Sequence, residues 1–70
     1  MKYIIVIDHD LPMAIWFDPI LNHSDIAFGK EVVSAGHCNS SGQAYGYSVT
    51  LLMKSRPEDT DIIRQSMNRT

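Results

Sequence analysis

The chain has 70 residues, a net charge of -2, 44% hydrophobic and 20% charged residues and one cysteine, Cys38. A single domain spanning 1–70 buries only about 60% of its unfolded surface, so its core is marginal, and no internal disulfide can staple it. The composition excludes a mostly disordered chain, and the absence of any Lys/Arg run argues against direct nucleic-acid binding through phosphate neutralisation.

Taken in chain order, Tyr3-Ile4-Ile5-Val6-Ile7 is β-branched, aromatic and apolar at every position. That pattern predicts a central strand covered on both faces. Asp8-His9-Asp10-Leu11-Pro12 is turn chemistry. Met13 to Phe17 is a second apolar run that pairs with the first as a hairpin, and Pro12 favours an edge position for it. Asp18-Pro19 is a stop that can also open a helical turn. Ser24 to Gly29 reads as a short capped turn, so residues 19–29 predict one short helix or two irregular turns.

Glu31–Asn39 and Gln43–Leu52 flank Asn39-Ser40-Ser41-Gly42, which predicts a β-hairpin. On its second arm Tyr45, Tyr47, Val49 and Leu51 share one face and Ala44, Gly46, Ser48 and Thr50 the other. On its first arm Val33, Ala35 and His37 alternate with Val32, Ser34, Gly36 and Cys38. The small residues allow a helix or a second backbone to pack closely. Ser55-Arg56-Pro57-Glu58 reads as a capping box with Ser55 as N-cap, opening a helix over 56–68. Asp59 and Asp61 complement its positive end and Arg64 and Arg69 its negative end. Ile62, Ile63, Ser66 and Met67 form a narrow inward stripe.

The predicted fold is α+β, a small, mostly antiparallel sheet in the order β-β-short α-β-β-α, with one C-terminal helix packed on one face. One narrow helix cannot cover two apolar sheet faces. The 19–29 segment, a second copy or a target protein covers the rest, and this surplus is the main reason to expect interaction with a partner.

Asp8-His9-Asp10 after an apolar strand resembles the opening motif of haloacid-dehalogenase-type phosphotransferases, in which one carboxylate is the nucleophile and the next the acid-base. The resemblance is confined to this stretch. Pro12 stands where that motif has Thr or Val, and the chain is too short for the Rossmann-like body. The competing reading is that the carboxylates cap a hairpin turn, and this is the expectation. His9, His23, His37 and Cys38 match no structural zinc spacing. His37 and Cys38 are adjacent in a strand, so they point to opposite faces. No metal or other cofactor is expected. Cys38 reads as a small buried hydrophobe, and no nucleophile elbow or phosphate-binding glycine loop is present. Trp16, Tyr45 and Tyr47 are binding candidates because Trp and Tyr are enriched at hot spots, with core packing as the alternative for each. Asp8 and Asp10 complete the candidate protein-binding set.

The stretches VVSAGHCNSSGQAYGYSVTLLMKSRPEDTDIIRQ and AIWFDPILNHSDIA look like short uncharacterised reading frames of temperate-phage and prophage accessory regions. The resemblance lies in a Ser-Ala-Gly hairpin, a Tyr-Gly-x-Ser-Val strand and a Ser-Arg-Pro-Glu-Asp helix start. It covers most of the chain and carries no established activity. It implies a phage-encoded, non-enzymatic protein that binds and inhibits or modulates a host or defence protein. From the residues themselves, the short apolar run after Met1-Lys2 and the lack of any run of transmembrane length lead to the expectation of a protein of the bacterial cytoplasm with no signal peptide and no membrane span, and the surplus apolar sheet surface to a homodimer. Two alternatives stand beside it: a nucleotide-sequestering oligomer with Tyr45 or Tyr47 stacked on a ring, and a metal-dependent enzyme using Asp8 and Asp10.

Overall fold

The computed structural model describes residues 1–68, and its organising element is β1 (Lys2–Asp8). β1 pairs antiparallel with β2 (Leu11–Phe17) on one side and β3 (Val32–Cys38) on the other. β3 pairs in turn with the two-residue β4 (Ala44–Tyr45), giving a sheet of order β2-β1-β3-β4. Tyr3, Ile4 and Ile5 are buried on both faces, as their unbroken apolar run requires. Each fully buried isoleucine contributes about 1.5–3 kcal/mol.

The β1–β2 connection is a two-residue turn with His9 at φ 51° and Asp10 at φ 65°. Two positive-φ residues make a turn whose twist matches that of the flanking strands. His and Asp are among the non-glycine residues that enter this region most readily. The expected turn at Asp8-His9-Asp10 is therefore present. β2 is an edge strand, and Pro12 sits two residues before Ala14, whose N–H faces away from β1 and donates to Ser66 Oγ at 3.2 Å. Pro12 thus lacks its N–H on the side where no strand would accept it.

The two faces are closed by different elements. Helix α2 (Asp59–Met67) lays Ile63 against Tyr3, Ile5, Ala14 and Cys38, with Val33, Ala44, Ile62 and Met67 around them. Its Thr60 and Ser66 hydroxyls accept the N–H groups of Ala44 and Ala14. Both edges of the sheet are thereby partly blocked against further strands. On the opposite face Ile4, Val6, Phe17 and Ala35 meet Ala27 of α1 (His23–Ala27). Leu51 and Met53 also pack there, from a ribbon formed by β5 (Tyr47–Ser48) and β6 (Met53–Lys54).

Four expectations are corrected. First, the second hairpin arm does not run straight from Gln43 to Leu52. It breaks at Gly46 (φ 75°), and the chain folds under the sheet as the β5–β6 ribbon. Leu51 turns inward while Tyr47 and Val49 stay exposed, so the predicted common face is split. Second, a register shift between Ile5 and Val6 makes Val32 face Val6 and leaves Val33 as the extra residue. Val33 then joins the α2 side and Val32 the α1 side, the reverse of strict alternation. Third, the helix begins at Asp59 rather than residue 56. Ser55 does not cap it: its N–H and hydroxyl both donate to the Gly46 carbonyl, each at 3.0 Å. Asp59, not Glu58, reaches back to accept the Arg56 N–H at 3.0 Å, which shifts the acidic half of the capping box by one residue. Fourth, the face opposite α2 is covered by α1 of the 19–29 segment, one of the covers expected, and also by the β5–β6 ribbon, which was not expected. The 19–29 segment holds a turn at Asp18, whose Oδ1 accepts the Ile20 N–H, and then the five-residue α1. Arg69, expected at the helix end, lies outside the described residues.

Candidate functional site

The residues proposed from sequence do not gather in one place. Asp8 and Asp10 are exposed at the β1–β2 turn. Tyr45 pairs with His37, which pairs with Lys2 at the other end of β1. A seven-residue strand separates the two ends by about 20 Å. Trp16 faces Tyr3 on the α2 side, partly buried, and lines a shallow depression with Met13, Ala14 and Ile15. Tyr45 and Tyr47 are exposed on the other side, so the five candidates fall into three separate places: the Asp8–Asp10 turn, Trp16, and the two tyrosines. Among the described residues, no three His, Cys, Asp or Glu side chains are grouped where they could hold a metal ion.

Two adjoining features stand out on the α1 side of the sheet. The first is the tip of the β5–β6 ribbon. Gly36 lets it form, since a Cβ there would lie 2.7 Å from the Tyr45 carbonyl oxygen where the chain crosses toward Gly46. The turn from Val49 to Leu52 closes with Leu52 N–H donating to the Val49 carbonyl at 3.3 Å. Buried Ser48 accepts the Leu51 N–H through Oγ at 3.2 Å and so braces the loop from inside. Leu52 sits at φ 54° and is 90% exposed. Tyr47, Val49 and Leu52, with Met53 and Lys54, line an open apolar depression of about 490 Å³.

The second feature is a smaller cleft of about 240 Å³ that shares Tyr47 and Val49 with the tip and adds Lys2, Asn22, His23, His37 and Thr50. His23, only 4% exposed, meets the Gly36 carbonyl through Nε2 at 2.7 Å. A carbonyl only accepts, so Nε2 carries the proton. The His23 ring is edge-on to Phe17 (5.4 Å) and to His37 (5.8 Å), and His37 stacks on Tyr45 (5.8 Å). Burial lowers the His37 pKa from its usual value, and the positive charges of His23, Lys2 and the amino terminus push it further down.

A third constellation is structural. Asp59 is fully buried, yet each carboxylate oxygen has two donors. Tyr3 Oη (2.6 Å) and Arg56 N (3.0 Å) reach Oδ2, and Ser34 Oγ (2.9 Å) and Arg56 Nε (3.1 Å) reach Oδ1. Burial, then the bond to Asp59, pushes the Tyr3 phenol far above its usual range. Burial likewise pushes the Cys38 thiol up, which suits the inert core role expected for it.

Sequence reasoning missed Lys2, His23 and His37 as the lining of one cleft, Leu52 as an exposed tip and Asp59 as a buried hub. Some signals were available. Leu51-Leu52 within one strand cannot both point inward. A Tyr in an apolar strand needs a partner for its hydroxyl. The sequence carries no comparable mark for the meeting of Lys2, His23 and His37, which depends on three separate elements. Comparison of the chain with protein-family models, curated proteins and solved structures found no match, so the functional reading rests on these surfaces.

Proposed function

We propose that this chain is a small protein-interaction module of a phage, acting by binding a host or defence protein rather than by catalysis, with the ribbon tip as its contact surface. The observation that carries this reading is Leu52. A large apolar side chain is 90% exposed on a residue with left-handed backbone, at the end of a braced turn. Such a residue costs of order 1–3 kcal/mol and persists where the surroundings impose it, often at binding segments. Exposed Tyr47 and Val49 extend the apolar contact, and Tyr is a favoured anchor residue at interfaces. The bacterial-host context comes from the resemblance to phage accessory proteins alone. Among the described residues no helix is long and apolar enough to cross a membrane.

The test pairs the natural chain with Leu52→Gly, which removes the side chain and suits the backbone. Each is tagged and used to capture proteins from bacterial lysate, and the eluates are weighed by native mass spectrometry. A partner held at fixed stoichiometry by the natural chain and lost by Leu52→Gly is the expected result. Equal capture by both defeats the tip as the contact surface. A homodimer that dissociates in Leu52→Gly assigns the tip to self-association instead.

A further inference from the structure

Lys2 of β1, His23 of α1 and His37 of β3 meet in the small cleft beside the ribbon. Its volume of about 240 Å³ falls below the range of about 300–1,000 Å³ typical of pockets for drug-sized ligands, so its occupant is compact. The lining is rich in donors. The Lys2 ammonium has three N–H groups and gives one to the Leu21 carbonyl at 2.8 Å, which leaves two. Asn22 and Thr50 add an amide and a hydroxyl. The His23 proton sits on Nε2, while its Nδ1 has no hydrogen-bond partner among the described residues.

The positive charge is also uncompensated. Among the described residues the ion pairs join His9 to Asp8 and Arg56 to Glu58 and Asp59, and none involves Lys2. Asp18, next to Lys2's strand partner Phe17, directs Oδ1 to the Ile20 N–H instead. Among the described residues, the groups facing His37 are Lys2 from β1, His23 from α1, Tyr45 from β4, Tyr47 from β5 and the Met1 amine, with no carboxylate among them.

We propose that this cleft binds a compact oxyanion, a phosphate or carboxylate group, with Lys2, Asn22 and Thr50 donating to it and the His23–His37 pair taking up a proton as it binds. Burial and then the neighbouring positive groups lower the His37 pKa, and the anion supplies counter-charge against the second of these causes. Binding therefore strengthens as pH falls. This site does not depend on the tip reading, because it needs no protein partner.

The experiment is NMR of the histidine rings in the full chain near pH 6. Inorganic phosphate and, separately, acetate are titrated at constant ionic strength. His9, with its side chain 94% exposed at the far end of the sheet, is the internal control. The expected result is saturable shifts of His23 and His37 with His9 unmoved, and a His37 titration midpoint that rises with bound anion. Lys2→Gln should weaken binding about tenfold, the scale of one charge-assisted hydrogen bond. Saturation by phosphate alone assigns a phosphoryl ligand, and by acetate alone a carboxylate ligand. Equal, unsaturated shifts of all three histidines overturn the proposal. So do identical curves for Lys2→Gln and the natural chain.

Discussion

The two faces of the sheet are closed in opposite ways. On the α2 face, a helix brings one buried carboxylate onto the sheet and each of its oxygens accepts two hydrogen bonds. On the α1 face, a five-residue helix and a two-stranded ribbon bury Leu51 and Met53 but leave Tyr47, Val49 and Leu52 in water. The first face turns polar groups inward and the second turns apolar groups outward. A monomer gains from the first arrangement, because a fully bonded buried carboxylate ties helix, loop and two strands into one geometry. It gains nothing from the second. The contrast separates the part of the molecule that holds the fold from the part available for binding.

The largest expected effect comes from breaking the Asp59 hub. Asp59→Ala leaves Tyr3 and Ser34 hydroxyls and the Arg56 groups without their acceptor. Removing one member of a buried charged network costs about 3–5 kcal/mol, a large share of the 5–15 kcal/mol typical of small domains. Urea unfolding should show the midpoint lowered by more than about 1 M. A midpoint within a few tenths molar of the natural chain would mean the network is not the anchor.

Gly36→Ala attacks the junction between the two halves. Its Cβ would press on the Tyr45 carbonyl at 2.7 Å, and that atom belongs to backbone that cannot swing away. A cost of about 1–3 kcal/mol is expected from such overpacking. The ribbon should loosen before the sheet, so amide exchange should quicken first at Tyr47, Ser48, Met53 and Lys54. Uniform quickening across β1 would erase the distinction between the two faces.

The pH dependence divides the same way. The His37 pKa is lowered in the fold by burial and by nearby positive charge, so the unfolded chain binds more protons below about pH 6.5. That stability is fully present above this value and is lost as pH falls through the folded pKa. His37→Gln should flatten the decline in Tm between pH 7 and pH 5. The Tyr3 pKa is raised, so its contribution is present below about pH 10 and is lost progressively above it. The α1 face should thus weaken in acid and the α2 face in alkali, which near-ultraviolet dichroism can follow through Tyr3.

Leu52→Gly should have the smallest effect on stability, and with the opposite sign. Relief of the left-handed backbone raises stability by about 0.5–1 kcal/mol once glycine's extra unfolded-state entropy is subtracted. A rise in Tm together with loss of the bound partner would sharpen the division between fold and function. A fall in Tm would show that the Leu52 side chain supports the ribbon.

Much of the frame was legible because it rests on local rules. The apolar run Tyr3–Ile7 specified a doubly covered strand. Asp8-His9-Asp10 specified a turn, Pro12 an edge, and the adjacency of His37 and Cys38 their opposite faces. The second arm was misread because alternation from Gln43 to Leu52 is compatible with a straight strand until Gly36 is known to lie beneath it. The helix start was misread because Ser55 and Glu58 satisfy a local capping pattern that loses to longer-range partners. Ser55 bonds Gly46, while Asp59 bonds Tyr3 and Ser34, 56 and 25 residues away. The candidate set of Trp16, Tyr45, Tyr47, Asp8 and Asp10 was chosen by residue type, and type says nothing about which end or face of a sheet a residue occupies.

The sequence by itself determined an α+β chain with a central apolar strand, a tight first hairpin and a C-terminal helix, since periodicity and turn chemistry act over a few residues. Only the tertiary structure decided that Asp59 is a buried hub, that Leu52 projects into water, and that Lys2, His23 and His37 share a cleft. Each of these depends on contacts between segments far apart in the chain, and no local pattern encodes which distant partner will be there to satisfy a charge, a carbonyl or an apolar surface.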